Sequence, residues 1–181
     1  MRIDTALSFV PLGGTLSLVG GAGVAIPSTY TLDVFGVGPG IAPPSIWGAP
    51  TLAGWDVGIG GDIQEIQVSI GTALATSNSA TLTVAFQGAP DTGAAGGYQP
   101  GTWTTYADAG AVTAANGTAN QVIRLDWPAA FPANARPRFY RLNFVVPAGT
   151  NFTAGTVSWA GVTMVRDDLN FKYAARNYTV A

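Results

Sequence analysis

From Phe139 to Val165 the chain reads FYRLNFVVPAGTNFTAGTVSWAGVTMV, and its apolar positions recur at every second residue. Tyr140, Leu142 and Phe144 fall on one side and Arg141 and Asn143 on the other, the period of a strand with one buried face. Pro147, Gly149, Asn151 and Gly155 interrupt the pattern before a second alternating run begins. In that run Val157 and Trp159 share one parity and Val162 and Met164 the other. A β-bulge at Ala160 or Gly161, where glycine relieves the backbone, brings all four to one side. The pattern therefore predicts a long antiparallel hairpin with a bulged second strand. Two further runs are as clear: Ile66, Val68 and Ile70 alternate with Glu65, Gln67 and Ser69, and Leu82, Val84 and Phe86 with Thr81, Thr83 and Ala85. The polar link Gly71 to Ser79 is short enough to make these an antiparallel neighbour pair.

Weaker strand signals lie elsewhere. Met1 to Phe9 reads as an extended lead-in, Thr15 to Val19 as a weak strand between glycine pairs, and Tyr30, Leu32 and Val34 as a better one. Trp103 to Tyr106 and Gln121 to Leu125 follow, separated by a small-residue turn at Asn116 and Gly117. No stretch combines good helix formers at helical spacing, so almost no helix is expected.

Between these runs the chain loses its period four times. Gly36 to Gly61 contains Pro39, Pro43, Pro44 and Pro50, eight glycines, and Trp47 and Trp55. Its two tryptophans argue for an ordered excursion, either lying over a neighbouring molecule with an indole as anchor or folded back over its own core. Gly88 to Gly101 is a glycine-rich loop carrying Tyr98, and Asp126 to Pro137 is broken by three prolines. Arg166 to Ala181 mixes charges and amides with Phe171, Tyr173 and Tyr178, and reads as a C-terminal arm docking on another subunit or as a last edge strand.

Composition narrows the class. The chain has 181 residues, enough for a sizeable core and compatible with one domain. Its 24 glycines, 12 prolines and 10% aromatics, with β-branched residues in short runs, predict an all-β fold: a single antiparallel β-sandwich with long Gly/Pro-rich loops. There is no cysteine, hence no disulfide framework or zinc-thiolate site, and no histidine, which removes the commonest general base and transition-metal ligand. Mean hydropathy is +0.28 and no charge stands between Asp4 and Asp33, but Pro11, Pro27 and repeated glycines break that window, so no spanning helix is expected. Arg2 followed at once by Asp4 does not resemble a secretory leader, and synthesis in the cytoplasm is the simpler expectation.

Charge is unevenly placed. Up to Ile123 one cation, Arg2, stands against seven carboxylates, a balance of −6; from Arg124 onward seven cations face three, a balance of +4. Either copies of the chain meet through oppositely charged portions, or the two portions pair within one molecule. The few positive charges and a pI near 4.7 give little footprint for nucleic acid. The only close carboxylate pairs, Asp56 with Asp62 and Asp167 with Asp168, have no feature that separates their acidities, so they read as solvated loop charges. No D-x-D-x-D-G spacing suggests calcium, the three Asn-x-Thr triplets have meaning only on a secreted chain, and no cofactor is expected.

The opening MRIDTALSF and the block RFYRLNFVVPAGTNFTAGTVSWAGVTMV together resemble the capsid cement (decoration) proteins of tailed bacteriophages, the family typified by the cement protein of a Bordetella short-tailed phage. Members open near Ile-Asp-Thr and close with an arginine-flanked R-[FY]-x-R-L-x-[FY] strand, a short loop containing F-T-A-G and a last hydrophobic strand. The matching residues are Ile3, Asp4 and Thr5; Arg138, Phe139, Arg141, Leu142, Asn143 and Phe144; and Phe152, Thr153, Ala154 and Gly155. The likeness covers the first ten residues and roughly the last third, and Gly36 to Gly61 departs from the family pattern. It implies a jelly-roll sandwich and a structural task without catalysis: sitting on the outer surface of an assembled phage head, bridging major capsid proteins and holding the shell against the pressure of packaged DNA. The implied partners are the major capsid protein and further copies of the chain, as a homodimer or homotrimer, with no nucleic acid and no membrane. Candidate contact residues are Trp47, Trp55 and Tyr98 in loops, Phe171, Tyr173 and Tyr178 in the tail, and Arg138 and Arg141 for polar fixing. The rival reading is a carbohydrate-binding, lectin-like or fibre-head module in which Trp47, Trp55 and Trp103 serve as stacking platforms.

Overall fold

A computed structural model of the chain describes residues 2–20, 22–33, 64–92, 99–126 and 137–164. No helix is present among them. The strands are β1 (Arg2–Val10), β2 (Leu16–Ser17), β3 (Ala25–Pro27), β4 (Leu32–Asp33), β5 (Gln64–Ile70), β6 (Ala75–Thr76), β7 (Thr81–Ala89), β8 (Thr104–Thr113), β9 (Val122–Asp126), β10 (Phe139–Val145), β11 (Phe152–Ala154) and β12 (Thr156–Met164). One sheet runs β1-β12-β5-β9, with β2 also on β12; the other runs β3-β10-β7-β8, with β4 also on β10; β6 and β11 form a small third pair. Every pairing between strands is antiparallel.

The alternation explains the sandwich. Ile66, Val68 and Ile70 of β5 and Val157, Ala160 and Val162 of β12 turn one way from the first sheet. They meet Leu82, Val84 and Phe86 of β7 and Tyr140, Leu142 and Phe144 of β10 in a single core cluster. Burying each such aliphatic or aromatic side chain stabilises the fold by about 1.5–3 kcal/mol, so the twelve inward residues of these four strands dominate the balance. Phe86 stacks on Tyr140 at 5.3 Å between centroids and receives Phe9 of β1 edge-on at 6.2 Å, which couples the two sheets through aromatic contact.

Two pairings expected from the sequence are overturned. The strands expected to form the long closing hairpin, β10 and β12, lie in different sheets, and so do β5 and β7. A short polar link can either turn back beside its own strand or cross over the core to the facing sheet, and alternation is identical in both cases. The bulge in β12 is real but falls earlier than Ala160 or Gly161, between Val157 and Trp159. Ala160 and Val162 therefore share the inward parity of Val157. Trp159 takes the outer side beside Ser69, where its indole N–H donates to Ser8 Oγ at 3.3 Å.

Tertiary pairing also makes strands where local preference is weak. β8 continues through the alanine-rich run to Thr113, well past Tyr106, because β7 supplies a ladder along its length; two irregularities absorb its poor fit. β3 ends at Pro27, tolerated because β3 is an edge strand. Between β3 and β4, Ser28 continues the ladder to β10: its N–H donates to Leu142 O at 2.8 Å, and its hydroxyl accepts from Leu142 N–H at 3.1 Å while donating to Tyr30 O at 2.9 Å.

The two ends of the sandwich differ. At one end the connections over 11–24, 71–80, 114–121 and 146–155 are laced together. Leu74 N–H donates to Gly117 O at 2.8 Å and Leu18 N–H to Gly155 O at 2.9 Å, and Asn78 Nδ2 donates to Asn151 Oδ1 at 2.9 Å. Phe152 and Leu74 plug the core there, and Gly155, at φ +148°, lets the chain pass Leu74 where a Cβ would stand 2.7 Å from its Cδ2. At the opposite end the strand termini are aligned: Arg2 with Met164, Met164 with Gln64, Glu65 with Asp126, Asp33 with Phe139 and Phe139 with Ala89.

Two substitutions test this packing. Ser28→Ala strands the buried Leu142 N–H and is expected to lower the unfolding free energy by about 1–3 kcal/mol. Gly88→Ala places a Cβ within 2.7 Å of Pro137 and 2.8 Å of Tyr106, an overpacking cost of about 1–3 kcal/mol. Urea unfolding measures both; unchanged midpoints would contradict the register of β10 against β3 and β7.

Candidate interaction surface

The arginines of the closing strand take different positions. Arg138 immediately precedes β10 and its N–H donates to Ala89 O at 3.0 Å, so it closes the ladder between β10 and β7. Its side chain is buried, its Nη1 donates to Asp91 Oδ2 at 2.6 Å, and its guanidinium carbon stands 5.2 Å from the centroid of the Phe139 ring. A short charge-assisted bond of this kind, largely out of water, fixes the start of β10 to the loop after β7. Arg138 is thus employed inside the molecule.

Arg141 is different. It points outward from β10 beside Gln87, and its Nε–H donates to Gln87 Oε1 at 2.9 Å. Gln87 in turn donates from Nε2 to Thr105 Oγ1 at 3.2 Å, and the Arg141 guanidinium carbon lies 4.2 Å from the centroid of the Trp103 ring. Partial burial lowers the Arg141 pKa from its ordinary value, although a guanidinium stays charged in any such setting. No carboxylate among the described residues pairs with it. Among the described residues the group is held by Gln87 at its Nε and by Trp103 at one face, and its planar η edge has the geometry that receives a carboxylate in bidentate fashion.

The uneven charge of the sequence is partly cancelled within the molecule. Arg138 with Asp91 and Arg124 with Glu65, at 3.4 Å, each join a residue of the acidic portion to one of the basic portion. The second pair is worth little on its own, since the Arg124 side chain is 66% exposed. It does offset the placement of Glu65 directly opposite Asp126 across β5 and β9, where two like charges would otherwise repel.

Of the residues singled out in the sequence, the structure brings Arg138 to the start of β10, buried against Asp91, and Arg141 to the outer side of the same sheet, near the end where strand termini are aligned. Trp47, Trp55, Tyr98, Phe171, Tyr173 and Tyr178 lie outside the described residues. The segments that carry them, 34–63, 93–98 and 165–181, all begin at this same end, after Asp33, Thr92 and Met164. Gln87, Thr105 and Asp91, which brace the arginines, were not legible as site residues, because their roles depend on strands joined across long separations. One ring face of Trp103 is occupied by Arg141 and is therefore closed to a stacking ligand. Among the described residues no three potential metal-ligating side chains come together.

These observations define the class: an antiparallel all-β sandwich with one laced end and one end from which the long segments leave. No family model matches the chain, and no curated protein matches it.

The division of labour between the arginines is measurable. Arg138→Ala leaves Asp91 without its strongest partner and is expected to cost about 2–3 kcal/mol of stability, whereas Arg141→Ala, at a partly exposed position, costs about 1 kcal/mol or less. Chemical denaturation of the two variants compares them directly. Equal losses would show that Arg138 is no more built into the fold than Arg141.

Proposed function

We propose that the protein is a capsid cement protein, a non-enzymatic module of the jelly-roll type that binds the outer surface of an assembled phage head, bridges its major capsid proteins and stabilises the shell against internal pressure. The observation that carries this reading is where the family-like residues fall. Ile3, Asp4 and Thr5 lie on β1, Arg138 to Phe144 form the start and body of β10, and Phe152 to Gly155 form β11 and the glycine passage into β12. The likeness therefore coincides with the strands that build both sheets and the laced end, and the family motif has a coherent physical role: Leu142 and Phe144 in the core, Phe152 as plug, Gly155 as the passage beside Leu74.

Strand order supports the jelly-roll part of the proposal. Numbered along the chain, the eight principal strands β1, β3, β5, β7, β8, β9, β10 and β12 pair first with eighth, second with seventh, third with sixth and fourth with fifth. Rolling four such antiparallel pairs gives sheets ordered 1-8-3-6 and 2-7-4-5. A stiff sandwich of this kind suits a mechanical task. Modest contacts made by many copies at once, on the shell and on one another, accumulate through effective concentration. The shell-facing region in this reading is the end from which the segments bearing Trp47, Trp55, Tyr98 and the C-terminal aromatics depart. An indole buried there against a partner contributes at about 25 cal/mol per Å² of apolar area, less the cost of ordering.

Cryo-electron microscopy of heads assembled with and without this chain tests the proposal. Density for an 18.5 kDa β-sandwich is expected on the outer surface at a local symmetry axis, with heads that carry it surviving heating that bursts bare ones. A bare shell, or density confined to tail or fibres, would overturn the reading, and binding of the isolated chain on a glycan array would then favour a sugar-binding module.

A further inference from the structure

We propose that Asn116 is a modification site, whose conversion to isoaspartate and aspartate is gated by opening of the laced end. Asn116 is the one asparagine of the chain followed by glycine; it lies exposed in the turn between β8 and β9. Its amide carbonyl is open to attack from the nitrogen of Gly117, because glycine carries no side chain to shield the approach. The nitrogen gives up its proton and bonds to Asn116 Cγ, the Cγ–Nδ2 bond breaks, and ammonia leaves behind a cyclic imide. Water then opens either carbonyl of the imide. One opening gives aspartate, and the other gives isoaspartate, in which the main chain runs through the former side chain. Nothing is oxidised or reduced, and water is the only co-reactant.

The fold both requires this glycine and guards it. A Cβ on Gly117 would collide with Leu74 Cδ1 and stand 2.5 Å from its Cγ, so packing against the plug leaves room for glycine alone. Gly117 is buried, its N–H donates to Thr113 O at 2.9 Å, and its carbonyl accepts from Leu74 N–H at 2.8 Å. While both bonds hold, the nitrogen keeps its proton and cannot turn toward Asn116 Cγ, so the reaction proceeds from states in which the turn has opened. Leu74 also lies against Gly155, which makes the connections over 71–80, 114–121 and 146–155 parties to that opening. The product does not fit the place it came from. Isoaspartate lengthens the main chain by one carbon between Thr113 and Gly117, the two ends of one hydrogen bond. Either product also brings a negative charge to an end whose connections, 11–24, 71–80, 114–121 and 146–155, contain no charged residue. Conversion therefore acts as a one-way release of the lacing.

This site does not depend on the shell-binding reading, and the isolated full chain tests it. The chain is kept in warm, mildly alkaline buffer, both folded and in guanidinium chloride above its unfolding midpoint, while peptide mapping by mass spectrometry follows each asparagine. In the denaturant Asn116 is expected to convert before any other asparagine, and in the folded chain to convert about tenfold or more slowly. Leu74→Ala, which removes the plug and leaves Asn116 and Gly117 in place, should speed conversion in the folded chain by about tenfold and leave the rate in denaturant unchanged. Guanidinium below the midpoint should speed conversion of the wild type in the same way, which decides the matter if Leu74→Ala does not fold. Hydrogen exchange at the Leu74 N–H should be faster in the isoaspartate form than in N116D, which adds the charge without the extra carbon. Equal rates in the folded and denatured chains, a folded chain that neither the variant nor low denaturant accelerates, or an isoaspartate form whose Leu74 N–H exchanges no faster than that of N116D overturns the proposal.

Discussion

Two central strand pairs, β7 with β10 and β5 with β12, lie back to back, and the placement of everything else follows from their shared core. Leu82, Val84, Phe86, Leu142 and Phe144 meet Ile66, Val68, Val157 and Val162 in one apolar cluster. Because a strand's faces alternate strictly, burying these residues obliges Arg141, Asn143 and Gln87 to take the outer side of their sheet and Glu65 and Gln67 that of the other, where Asn143 and Gln67 are nonetheless buried. The outer chemistry of the molecule is therefore a consequence of its core. A slip of one residue in β10 would bury Arg141 and expose Leu142 together, so the register is held by the largest energy the fold possesses.

The two ends of the sandwich are built differently. At the laced end, short connections satisfy one another's backbone groups, and Asn78 with Asn151 replaces a stretch of ladder by side-chain amides. At the other end the strand termini are aligned and the arginine tie between Arg138 and Asp91 secures the margin of the second sheet. One end is closed by its own connections, and the segments outside the described residues begin at the other. The face bearing Arg141 adds a separate surface, approached from the side of the sandwich.

Arginine serves two purposes three residues apart. Arg138 is buried with a carboxylate at 2.6 Å, and removing its charge would leave the partly buried Asp91 without its guanidinium, with Gln99 N–H still donating to Oδ1 at 3.2 Å. Arg141 rests on an indole and an amide, which position it without neutralising it. Desolvation of the first is balanced within the fold, while the second has no carboxylate partner among the described residues. An R-x-x-R spacing on a strand puts the two guanidinium groups on opposite parities, so one reaches round the strand end and the other stands on the face.

How much could be read in advance follows the range of each interaction. The strand character of β5, β7, β10 and β12, the inward residues of β5, β7 and β10, the scarcity of helix and the all-β sandwich class were legible, because alternation and turn residues are properties of neighbours in sequence. Partner choice was not. Both expected hairpins proved to be crossings between sheets, since a link such as Gly71 to Ser79 has the same composition whether it turns or crosses. The bulge in β12 was visible as a break in parity, yet its position, and hence the outward placement of Trp159, was decided by β5 and Ser8. β3, β6, β11 and the far half of β8 carry little strand preference of their own and exist because a neighbour offers unpaired backbone groups. The bracing of Arg141 by Gln87, Thr105 and Trp103 joins residues up to 54 positions apart. The sequence by itself determined which residues turn inward along the main strands, through a period of two that burial enforces. Only the tertiary structure decided which strands meet, and so which charges are spent inside the molecule and which remain on its surface, because hydrogen-bond ladders are satisfied between segments that local sequence does not bring together.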